Sequence, residues 1–342
     1  MKNIIHYPFE EIPKEGEIVE VAPNIYWIRL PLPLRLDHVN VYALDDDDGW
    51  TIIDTGFDTK KTRSVWVKLL NGPLKEKPVK RVLITHYHPD HIGLAGWFQN
   101  EFNVELLTTR TSWLMARMLV LDEQSEYTSE SLNFYKRAGV PITIYQKRKS
   151  ERPFNFCDVV AALPTGFKRV QEDEIINIGR INWKIKIGNG HAPDHITLWS
   201  DDIVIGGDQL LPSISPNLGV YPSEPEANPV AEWLISCKKL KRFATDTQLV
   251  LPGHKLPFIG LPLRLDQLIE NHHGALERLH SFLKKPRTVN DCFLTIFKRE
   301  IKEDEYGLAL GEAIAHLNYL YISGKISRKL TNNNVYYYET VK

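Results

Sequence analysis

The chain is poor in the features that would place it in several large classes. Only three cysteines, Cys157, Cys237 and Cys292, occur in 342 residues. They stand far apart and in no metal-binding spacing, which argues against a disulfide framework and suits a reducing cytosol. No apolar run approaches the roughly 18 residues of a membrane span. The N-terminal stretch Met1 to Pro8 meets Glu10 and Glu11 before any apolar core develops, so no signal peptide is expected there. Net charge is -1, from 42 Lys and Arg against 43 Asp and Glu. No global field therefore favours nucleic acid or an anionic membrane. Internal repeats and low-complexity tracts are also absent. What remains is 43% hydrophobic and 25% charged residues, the composition of a cytoplasmic globular protein with a large core. The length predicts one large domain plus an appendage.

Histidine is concentrated where the rest is ordinary. Thr85-His86-Tyr87-His88-Pro89-Asp90-His91-Ile92 reads HxHxDH, directly after the apolar run Val82-Leu83-Ile84. A strand from Arg81 to Thr85, ending at this cluster, would place His86 and His88 on one side, because strand side chains repeat every two residues. Pro89 suits the first turn of a following helix, where its missing N–H is not needed. Asp90 and His91 would then stand at that helix's N-terminus. Four N and O donors converging on one point are what zinc or a similar divalent ion requires. A solvated surface cluster would have no reason to keep this spacing.

Four further segments belong with the cluster: Ile52-Ile53-Asp54-Thr55-Gly56, Gly190-His191-Ala192-Pro193-Asp194-His195, Ile205-Gly206-Gly207-Asp208 and Leu251-Pro252-Gly253-His254. In this order, over roughly residues 18 to 285, the chain resembles the metallo-β-lactamase superfamily, particularly its glyoxalase II-like and lactonase-like hydrolases. The resemblance implies an α/β fold, a four-layer αββα sandwich. It also implies that His86, His88 and His191 bind a first metal ion, that Asp90, His91 and His254 bind a second, and that Asp208 bridges the two. Asp90 and Asp208 are the candidate catalytic residues. Two divalent ions are implied, zinc first, with manganese or iron as alternatives for a His/Asp set. Such ions, about 3.5–4 Å apart, share a water and lower its pKa, so that a bridging hydroxide attacks the substrate. The expected reaction is hydrolysis of an ester, thioester or lactone carbonyl, in the manner of a hydroxyacylglutathione hydrolase. Its partner would be a small molecule, with no membrane, nucleic acid disfavoured and a homodimer left open. Two rival readings stand beside it: a metal-dependent endoribonuclease or phosphodiesterase, and a non-enzymatic metal-binding protein.

Local sequence agrees with this layout. Gly190, Gly207 and Gly253 each precede a proposed ligand, consistent with tight exits from strands. Asp54 reads equally as a carboxylate behind a metal-bound histidine and as a turn former before Thr-Gly. His195, four positions after His191, is expected to support the site or line its pocket. In lactonases of the family a Tyr follows the bridging Asp by a few residues, whereas Gln209, Leu210 and Leu211 stand here, which weakens the lactonase reading. Tyr221 reads as a packing residue before it reads as a hydroxyl over the reacting oxygen.

Strand patterns cover Ile18 to Val21, Ile25 to Leu30, His38 to Leu44 and Trp50 to Ile53, and a helix is predicted near Lys61 to Leu70. Pro31 to Arg35, too proline-rich for a central strand, is either a pocket wall or a plain connection. Residues 109 to 160 lengthen the gap between His91 and His191 and look helical, as a lid over the site or as packing. Within them, Lys147-Arg148-Lys149 with Arg152 reads as a solvated loop. Helices are predicted over Val230 to Phe243 and Pro262 to Lys284, the second holding His272 and His273. The tail from Thr288 suggests helix, helix and a wing-like strand pair, resembling a small winged-helix appendage with a structural or dimerising role. Domains are expected at 1–285 and 286–342.

Overall fold

A computed structural model describes residues 4–341; Met1 to Asn3 of the N-terminal stretch and Lys342 lie outside the described residues. The first sheet joins seven strands in chain order: β1 (Val19–Ala22), β2 (Ile25–Pro31), β3 (His38–Asp45), β4 (Trp50–Ile53), β5 (Val79–Leu83), β6 (Glu105–Thr108) and β7 (Lys168–Arg169). The first four pair antiparallel and the rest parallel. The second sheet runs β12 (Leu249–Pro252), β11 (Ile203–Gly207), β10 (His195–Trp199), β9 (Ile181–Gly188), β8 (Ile175–Ile178). Helices α1 (Lys60–Asn71), α2 (Pro89–Ile92), α3 (Ala95–Phe102) and α4 (Arg110–Leu121) follow the strands of the first sheet. The remaining elements are α5 (Ser129–Arg137), α6 (Ile142–Ser150), α7 (Pro229–Lys241), α8 (Leu261–Phe282), α9 (Phe293–Phe297), α10 (Tyr306–Ile322) and the hairpin β13 (Ile326–Leu330) with β14 (Tyr336–Thr340).

Contacts divide the chain into two compact units. One holds the residues up to 123 with 155–216 and 240–264; the other holds 124–154, 217–239 and 265 onward. The chain passes between the two units at five points. The region from 109 to 160 divides as well: α4 belongs to the first unit, whereas α5 and α6 belong to the second. The second unit draws them in by contacts such as Gly139, whose added Cβ would meet Thr288 and Val335 at 3.1–3.2 Å.

In the first unit the apolar residues sort by strand parity onto two faces. Trp27, Tyr42, Leu44 and Ile53 of the first sheet join Ile178, Trp183, Ile185, Ile196 and Leu198 of the second in one buried core between the sheets. Ile28, Val41, Ala43 and Ile52 point the other way, onto Val65, Trp66 and Leu69 of α1 and Phe98 of α3. Helix α1 starts where the Thr59 hydroxyl accepts the Thr62 N–H, a side-chain cap. Side chains alternating between two apolar faces explain why these strands are buried nearly throughout. The mixed α/β architecture, sheets flanked by helices, is the one expected.

Two local readings change. Strand β5 ends at Leu83, so strand alternation does not align His86 with His88. The Thr85 N–H and hydroxyl turn to Asp54 at 2.8 Å each instead of continuing a ladder. The basic run at Lys147 to Lys149 is helical, in the last turn of α6, where cations suit the helix dipole. Its Arg148 lies over the ring of Tyr135, 4.2 Å from the centroid.

Candidate metal centre

All seven proposed ligands lie in the first unit, at the ends of strands or just beyond them. His86 Nε2 lies 3.0 Å from His88 Nδ1, which lies 3.0 Å from His191 Nε2. Burial pushes His86 well below its ordinary pKa and His88 down to about 3, so both are neutral rings offering lone pairs. Three ring nitrogens this close can share a proton or a cation. Beside them, Asp90 Oδ2 lies 3.3 Å from His254 Nε2 and 3.5 Å from His91 Nε2. Asp208 reaches both groups: Oδ2 lies 3.4 Å from His191 Nε2 and 3.3 Å from His254 Nε2, and Oδ1 lies 3.4 Å from His91 Nε2.

The donor set fits a divalent cation. His86, His88 and His191 form one group able to hold an ion; Asp90, His91 and His254 form another; His86, His91 and Asp208 link them. His91 Nε2 and Asp208 Oδ1 are fully buried with no hydrogen bond, an expensive state for groups that a metal would engage. Burial alone would raise Asp208, yet His254 and His91 pull its carboxyl well below the usual range. Burial alone would lower His254, yet Asp208 and Asp90 lift it to about 10. The two carboxylates thus make this a place that attracts positive charge.

Several of the proposed ligands are held from behind. Asp54 sits in the left-handed region, φ 62, and does both things expected of it. It turns the chain, and its Oδ2 lies 2.8 Å from His91 Nδ1, leaving His91 Nε2 directed inward. His254 Nδ1 donates to the His38 carbonyl at 2.8 Å. His195 accepts the Asp208 backbone N–H at 3.1 Å and stacks on His86, centroids 4.5 Å apart. It is a supporting residue. An added Cβ at Gly253 would lie 2.3 Å from Asp208 Oδ1 and 2.9 Å from His91 Cε1, so only glycine passes there.

Sequence reasoning missed the residues of β3 that clamp the segment Pro252 to Lys255. Asn40 Nδ2 donates to the carbonyls of Pro252 at 3.0 Å and Lys255 at 2.8 Å, and its Oδ1 accepts the Trp27 indole N–H at 2.8 Å. Tyr42 donates to the Pro252 carbonyl at 2.8 Å, and His38 Nε2 accepts the Lys255 N–H at 3.0 Å. The signal was present: His38, Asn40 and Tyr42 alternate along a strand whose other residues up to Leu44 are apolar. Missed too was Thr111 of α4, whose hydroxyl donates to Asp194. Asn189 Oδ1 accepts the Asp194 N–H at 2.8 Å, so α4 fastens the turn carrying His191. The loop after Asp208 is held by Arg264, which donates to the Leu211 and Ile214 carbonyls at 2.7 and 2.8 Å. Other candidates lie elsewhere. Tyr221 is in the second unit and folds back on Gly219; there, too, His272 packs against His316 and His273 is exposed.

Two buried sheets flanked by helices, with a His/Asp cluster able to hold metal at their strand ends, define a metal-binding α/β fold, and the comparisons name its family. Residues 34–254 match the Metallo-beta-lactamase superfamily, and the chain belongs to it. Residues 276–341 match the Metallo-beta-lactamase-like, C-terminal domain. The chain is similar to a beta-lactamase domain protein from Burkholderia ambifaria, 34% identical with a TM-score of 0.91 over 98% of both chains. It is 26% identical to the probable metallo-hydrolase YqjP of Bacillus subtilis (strain 168), over 92% of this chain and 97% of that one. It is 24% identical to a linear primary-alkylsulfatase of Pseudomonas sp. (strain ATCC 19151), over 69% of this chain and 45% of that enzyme.

Proposed function

We propose that the protein is a dinuclear metal-dependent hydrolase of small-molecule esters, thioesters or lactones. The carrying observation is Asp208, one carboxylate within 3.4 Å of donors from both ligand groups. In this reading His86, His88 and His191 hold one ion, Asp90, His91 and His254 hold the other, and Asp208 spans them. Zinc suits the set best, with manganese or iron as alternatives. Ions bound there supply a water of lowered pKa and an electrophilic grip on the oxygen under attack. The chain's own part is preorganisation: Asp54 and the His38 carbonyl fix the tautomers of His91 and His254, and His195 fixes the Asp208 backbone. In this reading Asp90 serves as a carboxylate: burial alone would raise it, yet His91 and His254 pull it down to about 2.

The similarity to a linear primary-alkylsulfatase favours a second reading, hydrolysis of a sulfate ester by the same centre. A glutathione thioester is one candidate substrate among several. Three cysteines far apart in the sequence suit work in a reducing compartment. In the tail, α9, α10 and the β13–β14 hairpin are read as a winged-helix-like appendage with a structural role.

The experiment is a panel of thioester, carboxylic ester, lactone, primary alkyl sulfate and RNA substrates, run with metal-loaded protein and with Asp208→Ala. Metal-dependent turnover of a carbonyl ester, lost in Asp208→Ala, supports the reading. Turnover confined to the sulfate would move the assignment to the second reading, and cleavage of RNA alone would overturn both.

A further inference from the structure

The second unit carries a cavity of its own, about 310 Å3 in volume. That is the lower end of the range for small-molecule sites, roughly 300–1,000 Å3. Its walls are mixed. Phe134, Ile314 and Tyr338 supply apolar surface, and Tyr336, Arg137 and Arg328 bring a ring face and two guanidinium groups.

The charges around it are unequally committed. Arg328 Nη2 lies 2.9 and 3.1 Å from the two oxygens of Glu226, and its guanidinium carbon lies 4.5 Å from the ring centroids of both Tyr321 and Tyr336. That head group is part of the wall. Glu130 stands in the first turn of α5, where backbone N–H and the Ser129 hydroxyl hold its carboxyl below the usual range. Arg137, in the last turn of the same helix, lies over Tyr336 at 5.9 Å and makes no ion pair or hydrogen bond among the described residues. One planar cation is therefore uncommitted at the wall of a cavity whose lining is about half polar, with Phe134, Tyr336 and Tyr338 supplying its aromatic surface.

We propose that this cavity binds a small organic monoanion, a carboxylate carried on an apolar or aromatic body. A guanidinium takes a carboxylate through two parallel hydrogen bonds, and the ring of Tyr336 offers the body a stacking face. Two carboxylates at the wall, Glu130 and Glu226, select against dianions and phosphates. The site shares no residue with the metal centre and does not depend on the reading given for it.

The test uses isothermal titration of the full chain with 2-naphthoate, its neutral amide and 2,6-naphthalenedicarboxylate. We expect one naphthoate per chain, with the amide and the dianion each bound at least about tenfold more weakly. Arg137→Gln, at an exposed position, should weaken naphthoate about tenfold and erase its advantage over the amide. Ala138→Leu, at the cavity wall, should weaken all three probes, while Asp208→Ala should leave naphthoate binding unchanged. Absence of saturable binding, or an Arg137→Gln titration matching the wild type, would overturn the proposal. Loss of binding in Asp208→Ala would place the probe at the metal centre and overturn it equally, whatever the protein hydrolyses.

Discussion

Asp54 Oδ2 lies 2.8 Å from His91 Nδ1, and the same carboxylate receives the N–H and hydroxyl of Thr85 at 2.8 Å each. One buried acid thus couples the residue before the HxHxDH cluster to the last histidine within it. Asp54→Asn keeps the shape but removes the charge that fixes the His91 tautomer. We expect metal affinity or turnover to fall about 10–100-fold, the usual cost of losing such a partner. Chelator competition and kcat/KM check it; an unchanged chelator midpoint and unchanged kcat/KM would reduce Asp54 to a turn former.

Metal stoichiometry is the second expectation. Elemental analysis should find close to two divalent ions per wild-type chain and fewer in Asp208→Ala, with the circular dichroism spectrum retained. A single ion in wild type saturated with metal would refute the dinuclear reading.

The region from 109 to 160 gives the third. Trp113 stacks on Phe167 at 4.8 Å within the first unit, and Tyr135 carries the Arg148 guanidinium within the second. Both contacts are packing. Trp113→Ala should cost about 1–3 kcal/mol, less than the loss of a fully buried Trp, and lower Tm. Acyl-chain length series for wild type and variant should then run parallel; diverging series would restore a lid that reads the substrate.

The fourth concerns pH. His272 and His316 are buried with ring nitrogens 3.3 Å apart, and burial pushes them down to about 3 and about 4. The folded state binds fewer protons than the unfolded state, so this contribution to stability is complete above about pH 6.5 and is lost as pH falls toward 4. Each histidine should cost about 2 kcal/mol by pH 5. Glu312 works in the opposite sense: burial pushes it up to about 7, against an Asn217 hydrogen bond of 3.0 Å. Its penalty is absent below about pH 4.5 and grows as pH rises to 7. Urea midpoints between pH 5 and 8 should flatten on the acid side in His272→Phe and on the neutral side in Glu312→Gln. Wild-type slopes in both variants would remove these groups from the balance.

Much of the centre was legible because its chemistry is written in residue types. Histidine and aspartate at strand ends, each later ligand preceded by glycine, leave few other uses for such a pattern. The strands were legible from apolar runs, and Pro89 does open α2 as its fixed φ suggested. What stayed hidden depends on partners distant in sequence. Asn40 has no meaning until Pro252 lies beside it, and Thr111 none until Asp194 does. The path of 109–160 was hidden for the same reason: its helices show apolar faces, and amphipathic periodicity does not say which unit a face will meet.

The contact of Asn40 with a carbonyl 212 positions later has a consequence for how the protein matures. His86, His88, Asp90 and His91 hang from the first sheet, whereas His191, Asp208 and His254 hang from the second. Neither half alone owns a complete set of ligands, so tight metal uptake has to wait until the sheets have docked. Bound ions would then act as rivets through the sandwich, adding RT ln(1 + [L]/Kd) to its resistance against unfolding. Stripping them should loosen the seam between the sheets before it disturbs either sheet, and hydrogen exchange would register that order.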